Sequence, residues 1–350
     1  MPADAVHAYA PLAEVLRGTA VESTHFGAVA VVDRSGTVLR AAGDPYTLVY
    51  TRSSLKPLQA LPFTAHGGVE RFGFSKAQVA LMCASHSGEP RHVDAVADML
   101  ARCGRSAADL QCGTHAPGFY EARGELPPPP PYSTLSHNCS GKHSGMLAYC
   151  VQHGHRVGDY LAFDHPLQQS IRSAVSTFTG VAEDRLVAGI DGCSAPNYAV
   201  PLASLATAFA RLATAEVDAD YGMAPRVLAD AMMAHPEMVS GEFRSDLALM
   251  QAGRGDWVTK IGAEGVQAIG IRSQGLGIAI KVADGQKRGL YPAIVAVLEA
   301  LGLVDAAARQ VLEPWGRRTV TNYRGLATGE IRPAVVLGAY RPHVSALPDA

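Results

Sequence analysis

The chain has 350 residues, 48% of them hydrophobic and 18% charged, a composition that excludes a disordered or fibrous protein and matches an ordinary globular enzyme. A net charge of −2 and a pI near 6.7 argue against a nucleic-acid or anionic-membrane partner. No apolar run reaches the roughly 18 residues of a bilayer span, and residues 1–7 lack the basic region and apolar core of a signal peptide, so the expected location is cytoplasmic.

In chain order, residues 26–39 alternate and pause at Arg34-Ser35-Gly36, which predicts a β-hairpin. Helical patterns follow at 77–83, 91–102, 143–153, 166–179, 199–214 and 225–234, with capping and Gly/Pro signals between them. The proline run 127–131 reads as a polyproline II crossing on the surface. A second hairpin is predicted over 266–282, turning at Ser273-Gln274-Gly275, and a closing helix over 291–300. Strands at both ends around a long helical insertion predict one α+β catalytic unit with an antiparallel sheet built from both chain ends. Its sheet-containing part spans about 1–52 and 255–350 and its mainly helical part about 53–254.

The segment Arg52-Ser53-Ser54-Leu55-Lys56-Pro57 carries the most chemistry. Three-residue spacing puts Ser53 and Lys56 on one helical face, about 5–6 Å apart at Cβ. A serine hydroxyl becomes a nucleophile when a base takes its proton, and a desolvated neutral lysine is such a base. Proline fits the first turn of a helix, so Pro57 sets the helix start near Ser53, at the positive end of the dipole. A plain helix start explains the four-residue pattern equally well. A lysine base needs its pKa lowered from about 10.4, so activity is expected to favour alkaline pH.

An acylation centre also needs a second proton-passing group, a cation near a strand edge and oxyanion donors. Lys260-Ile261-Gly262, just before the second hairpin, resembles the Lys-Thr-Gly of penicillin-recognising enzymes, with Ile for Thr. Ser85-His86-Ser87-Gly88-Glu89 and Ser136-His137-Asn138 both offer the middle hydroxyl; Ser85 is favoured, and an N-cap is the alternative for either segment. Two polar stretches, 136–145 and 189–197, have the look of site-forming loops, and each holds one cysteine. Cys139, Cys193 and the amine of Lys142 offer zinc three donors, whereas buried structural cysteines are the simpler reading of the residues alone.

These blocks resemble the rhizobial-type (thermolabile, third-class) L-asparaginases. The likeness is carried by Arg52–Pro57, by Ala84-Ser85-His86-Ser87-Gly88-Glu89, by Asn138-Cys139-Ser140-Gly141-Lys142-His143-Ser144-Gly145 and by Gly189-Ile190-Asp191-Gly192-Cys193-Ser194-Ala195-Pro196. The resemblance implies a fold like the serine β-lactamases and glutaminases, hydrolysis of L-asparagine to aspartate and ammonia, and a homodimer. It implies two tandems, Ser53 with Lys56 and Ser85 with Lys260, and a zinc ion held through Cys139, Lys142 and Cys193. It places Asp191 and His143 at the site's rim. Asp191 is expected to meet the substrate ammonium, and Arg52 or the zinc region to orient its carboxylate. The rivals are a penicillin-recognising serine hydrolase or glutaminase on the same scaffold and a non-catalytic zinc- or thiol-dependent binding protein.

Overall fold

The structure, a computed structural model, describes residues 9–214 and 217–340, and residues 1–7, read above for a leader, lie outside that range. Its main sheet is antiparallel throughout and runs β10 (Arg318–Thr321), β11 (Ala327–Pro333), β1 (Ala10–Arg17), β2 (Ala20–Asp33), β9 (Leu276–Val282), β8 (Val266–Ile271), β7 (Trp257–Gly262). Strand β3 (Val38–Ala42) pairs with the far half of β2, and β12 (Gly338–Ala339) pairs with β3. The sheet is therefore assembled from both ends of the chain, as expected. Ala13 lies opposite Pro333 and Gly27 opposite Val282.

Alternation along the strands sorts the two faces. Val29, Val31, Ile269, Ile278 and Ile280 face one way, onto Leu290, Ile294 and Val297 of α12 (Lys287–Ala300). Ala28, Ala30, Ala268 and Ala279 face the other way, onto α8 (Leu202–Thr214) and the helical lobe. Small residues on that face are a packing requirement. A Cβ on Gly277 would lie 1.9 Å from the Ala206 carbonyl, so α8 seats directly on the strands. With both faces covered, every residue of β7 and β8 is buried. Burial on that scale, at about 25 cal/mol per Å² of apolar surface, is what holds the sheet and lobe together.

The lobe is built from α1 (Lys56–Ala65), α2 (Gly68–Phe72), α3 (Lys76–Met82), α4 (Pro90–Arg102), α5 (Gly118–Arg123), α6 (Ser140–His153), α7 (Pro166–Thr179), α8, α9 (Ala224–Ala234), α10 (Pro236–Val239) and α11 (Ser245–Gly253). The last helix is α13 (Ala306–Leu312), behind the sheet with α12. The proline run is an exposed crossing between α5 and a 3-10 turn at Thr134–Ser136. No described helix is long and apolar enough to cross a membrane.

Three differences from the sequence reading have plain causes. A small sheet joins β4 (Leu48–Tyr50) to β6 (Pro196–Pro201) and β5 (Val187–Ile190), and the last two stand inside the segment expected to be mainly helical. Its middle strand takes residues 199–201, so α8 starts at Leu202 rather than at 199. The helix expected at Ser53 opens as a 3-10 turn, Arg52–Leu55, and becomes α-helical at Lys56 with Pro57 in its first turn. Proline is not confined to first turns, however. Pro62 lies inside α1 and Pro292 inside α12, where burial outweighs the lost hydrogen bond.

Candidate active site

The chain leaves β4 and turns sharply into the Ser53 segment. Arg52 adopts φ +48°, a left-handed conformation unusual for a residue with a side chain. The buried Asn197 side chain accepts from the Arg52 N–H and donates to the Arg52 carbonyl, both at 3.0 Å. Gly262, ending β7, packs against this turn so closely that a Cβ there would meet the Thr51 carbonyl at 2.8 Å. The turn, β6 and the end of β7 thus meet at one point, and Ser53 sits half-buried there.

Lys56 is buried and reaches away from its own helix. Its Nζ lies 2.6 Å from Ala84 O, 3.3 Å from Asn138 O and 2.9 Å from Ser85 Oγ. The pairing of tandems expected from sequence is therefore not the pairing found. Lys56 bonds to Ser85, and its hydrogen bonds do not include Ser53, because the lysine chain is long enough to cross from α1 to the loop after α3. Its Nζ donates to the two carbonyls and to the Ser85 hydroxyl oxygen, which ties the amine to the loop after α3.

Lys260, on β7, is fully buried and bonds to the Ile261 carbonyl at 2.8 Å and to Asp246 Oδ2 at 3.4 Å rather than to Ser85. Burial pushes its pKa down to about 8; Asp246 opposes the shift, while the positive charges of Lys56 and Arg244 add to it. Asp246, the first acidic residue of α11, is also fully buried. It accepts from Thr259 Oγ1 at 3.0 Å, Gln267 Nε2 at 3.1 Å and the Ile261 N–H at 2.9 Å. No sequence motif marked Asp246; Asn197 closes the polar stretch 189–197 read above as a site-forming loop, but no signal there assigned it a role.

The second cluster lies at the start of α6. Two glycines let that helix press onto α3, since a Cβ on Gly141 would lie 2.4 Å from Leu81 O and one on Gly145 2.8 Å from Met82 Sδ. The fit buries Cys139, Lys142 and His143. Lys142 Nζ donates to Cys193 Sγ at 2.9 Å. The Cys139 thiol is held well below its ordinary pKa by a hydrogen bond from Cys193, against burial, with Lys56 and Lys142 assisting. Lys142 is raised: burial pulls it down, but Cys193 and Cys139 outweigh that. Cys83, Cys112 and Cys150 are instead pushed up to about 12 by burial.

His143 departs from the expected rim position, because the close packing of α6 buries it completely. Its Nδ1 lies 2.7 Å from Tyr160 Oη, which itself accepts the Gln111 N–H at 3.0 Å. The ring's other nitrogen, Nε2, is a buried atom with no hydrogen-bond partner among the described residues. The Asn138–Cys139 turn is tied down by two more rings, with the Asn138 N–H donating to His115 Nε2 and the Cys139 N–H to His137 Nδ1, both at 3.0 Å.

Beside Ser53, Arg52 Nε donates to Asp191 Oδ1 at 2.8 Å. The pair opens onto a cavity of about 550 Å³ that is also lined by Tyr50, Asn197, Glu264 and Lys281. A cavity of about 710 Å³ between α12, α13 and Pro333 holds none of the candidate residues. Asp191 stays below the usual carboxylate range although burial raises it, because Arg52 and the Gly192 N–H stabilise the charge.

Residues 13–333, nearly the whole chain, match the family described as L-asparaginase II. The chain belongs to the L-asparaginase II family. Among curated proteins none matches it in sequence. Among solved structures it is similar to Mglu in its native form, at 14% identity and a TM-score of 0.43 over 80% of this chain and 62% of Mglu. It is also similar to a β-lactamase from Mycobacterium bovis, at 18% identity and a TM-score of 0.37, over 83% of this chain and 94% of that one. Both likenesses are distant, and the asparaginase-family chain spans less than two thirds of the length of Mglu.

For this family member the zinc expectation rests on the donor set. Among the described residues no group of three or more His, Cys, Asp or Glu side chains converges on a metal position. The third donor at Cys139 and Cys193 is the Lys142 amine, which lies outside those residue types. Two thiols, one already acidic, have the chemistry that zinc takes, and Lys142, which now donates to Cys193 as an ammonium, joins them as a third donor only by losing its proton.

Proposed function

We propose that this asparaginase-family chain is an amidohydrolase that converts L-asparagine to L-aspartate and ammonia through a serine acyl-enzyme. Family membership supports the amide chemistry. The observation that carries the mechanism is Lys56, buried, without a carboxylate partner among the described residues, and 2.9 Å from the Ser85 hydroxyl.

In this reading Ser53, half-buried beside the Arg52–Asp191 cavity, attacks the side-chain amide carbon. Its proton passes to Lys56 through Ser85, the hydroxyl that Lys56 already holds. The C–N bond breaks, and Lys260, near its pKa of about 8, gives the leaving amine the proton that makes it ammonia. Water then cleaves the β-aspartyl ester and releases aspartate. Asp191 meets the substrate ammonium and Arg52 its carboxylate, while His143 supports the site from behind. Zinc would be held by Cys139, Lys142 and Cys193, and would supply a positive charge beside the pocket. The same reading has the enzyme in the cytoplasm as a homodimer, which sedimentation of the purified protein checks.

Ser85 as the acylated residue is the second reading, favoured by its direct bond to Lys56. Mass spectrometry of protein trapped with a serine-directed probe separates the two. Label on Ser53, and loss of turnover with an intact fold in Ser53→Ala, is the expected result; an active Ser53→Ala enzyme moves the nucleophile to Ser85. Ammonia release from asparagine and glutamine, beside a chromogenic β-lactam, tests the substrate, because one methylene is worth only about 1–3 kcal/mol in a pocket. Elemental analysis of wild type, Cys139→Ser and Cys193→Ser tests the metal, and equal zinc in all three excludes the site.

A further inference from the structure

We propose that Asn197 is a positioning residue that aims Ser53 by holding Arg52 in its left-handed turn. The inference rests on the reading of Ser53 as nucleophile. Strands β4 and β6 pair through Leu48–Pro201, Val49–Val200 and Tyr50–Ala199, and the Thr51 N–H continues the ladder to Tyr198 O at 3.1 Å. The next rung would join Arg52 to Asn197 through their backbones. Arg52 has by then left the strand at φ +48°, and the Asn197 side-chain amide takes the place of the missing backbone partner.

That substitution is complete on both sides of the residue. Oδ1 accepts the Arg52 N–H and Nδ2 donates to the Arg52 carbonyl, each at 3.0 Å, while Thr51 Oγ1 donates to Oδ1 at 3.2 Å. Asn197 is buried, although it borders the cavity beside Arg52. A left-handed backbone at a non-glycine residue is disfavoured roughly five- to thirtyfold. Such a conformation persists only where its surroundings over-determine it, and here it immediately precedes the proposed nucleophile. A planar amide bonded through both donor and acceptor is the device that over-determines it. An ionised aspartate at 197 lacks the donating arm, and a serine carries donor and acceptor on one atom that does not span the Arg52 N–H and carbonyl.

The test is the rate at which a small fluorophosphonate labels Ser53, read by mass spectrometry in four proteins: wild type, Asn197→Ala, Arg52→Gly and the double variant. Failure of wild type to label at Ser53 overturns the nucleophile reading itself. Given labelling, Asn197→Ala is expected to slow it about five- to thirtyfold, the cost of the left-handed turn no longer met. In the Arg52→Gly background the same change is expected to cost less than about threefold, because glycine enters that conformation unaided. Equal losses in both backgrounds, or no loss in either, overturn the role of Asn197 and leave Ser53 standing. Should Asn197→Ala not fold, Asn197→Asp replaces it; it keeps the accepting arm, loses the donating one, and is expected to show a smaller loss that Arg52→Gly also erases.

Discussion

Lys142 and Lys260 are both buried lysines at the heart of this molecule, yet their surroundings drive them in opposite directions. Lys142 touches Cys193 and lies near Cys139, and the sulfurs hold it protonated against burial. Lys260 has one carboxylate, Asp246, and two cations near it, so burial prevails and its pKa falls to about 8. Burial alone therefore does not decide the charge of an interior lysine; the sign of its nearest neighbours does. One region is built to keep a positive charge beside sulfur, and the other to let a proton go near pH 8.

The comparison breaks most visibly at Asp246. Asp246→Ala strands Lys260, Thr259 and Gln267, and is expected to cost about 3–5 kcal/mol, as removal of one partner from a buried ion pair does. Urea denaturation measures this, and a loss under about 1 kcal/mol means that the pair is not desolvated as described. At the other cluster, Gly141→Ala drives a methyl group into the Leu81 carbonyl and is expected to cost about 1–3 kcal/mol. It should also lower zinc content, because Cys139 and Lys142 ride on the displaced end of α6; unchanged metal and stability would count against the tight α3–α6 seat.

The gentler Asp246→Asn keeps the shape and removes the charge. Asp246 raises the pKa of Lys260, so its loss lowers that pKa further, and the falling alkaline limb of activity should move from about pH 8 to lower pH. A limb that stays put assigns it to another group. The smallest effect is expected on acidification. His86 and His92 are held below 6.5, chiefly by burial, and each accepts a backbone N–H through Nδ1. Neutral rings of lowered pKa contribute stability above the unfolded value, and that contribution is lost as pH falls below about 6.5. Thermal midpoints that fall between pH 7 and 5, and fall less in His92→Gln, are the expected result.

Much of this was legible in the chain because the signals are local. The Ser-x-x-Lys-Pro run marks the entry to α1, the two hairpins show their own turns, and the polar 136–145 stretch announces the loop that opens α6. What escaped depends on partners distant in sequence. Strand β1 has little alternation, and half of its pairing comes from β11 at the other end of the chain. Strand β4 is three residues long and acquires its identity from β6. The partner of Lys56 could not be read from spacing, because a lysine chain reaches across to whichever loop the fold presents. Asn197 ends the polar stretch 189–197, but its hold on Arg52, like the partners of Asp246, arises only from what the fold brings beside it.

The pairing of β2 with β9 and of β1 with β11 also bears on how the chain is made. Strands β1 and β2 leave the ribosome first, but the strands they must meet are synthesised last, on the order of tens of seconds later at about 5–20 residues per second. During that interval the nascent sheet has two long unpaired edges rich in valine and alanine, the kind of surface that recruits other chains. The helical lobe, whose contacts are more local, is free to fold meanwhile. Recovery of this protein from an expression host should therefore depend on chaperone supply and translation speed more than its final stability suggests.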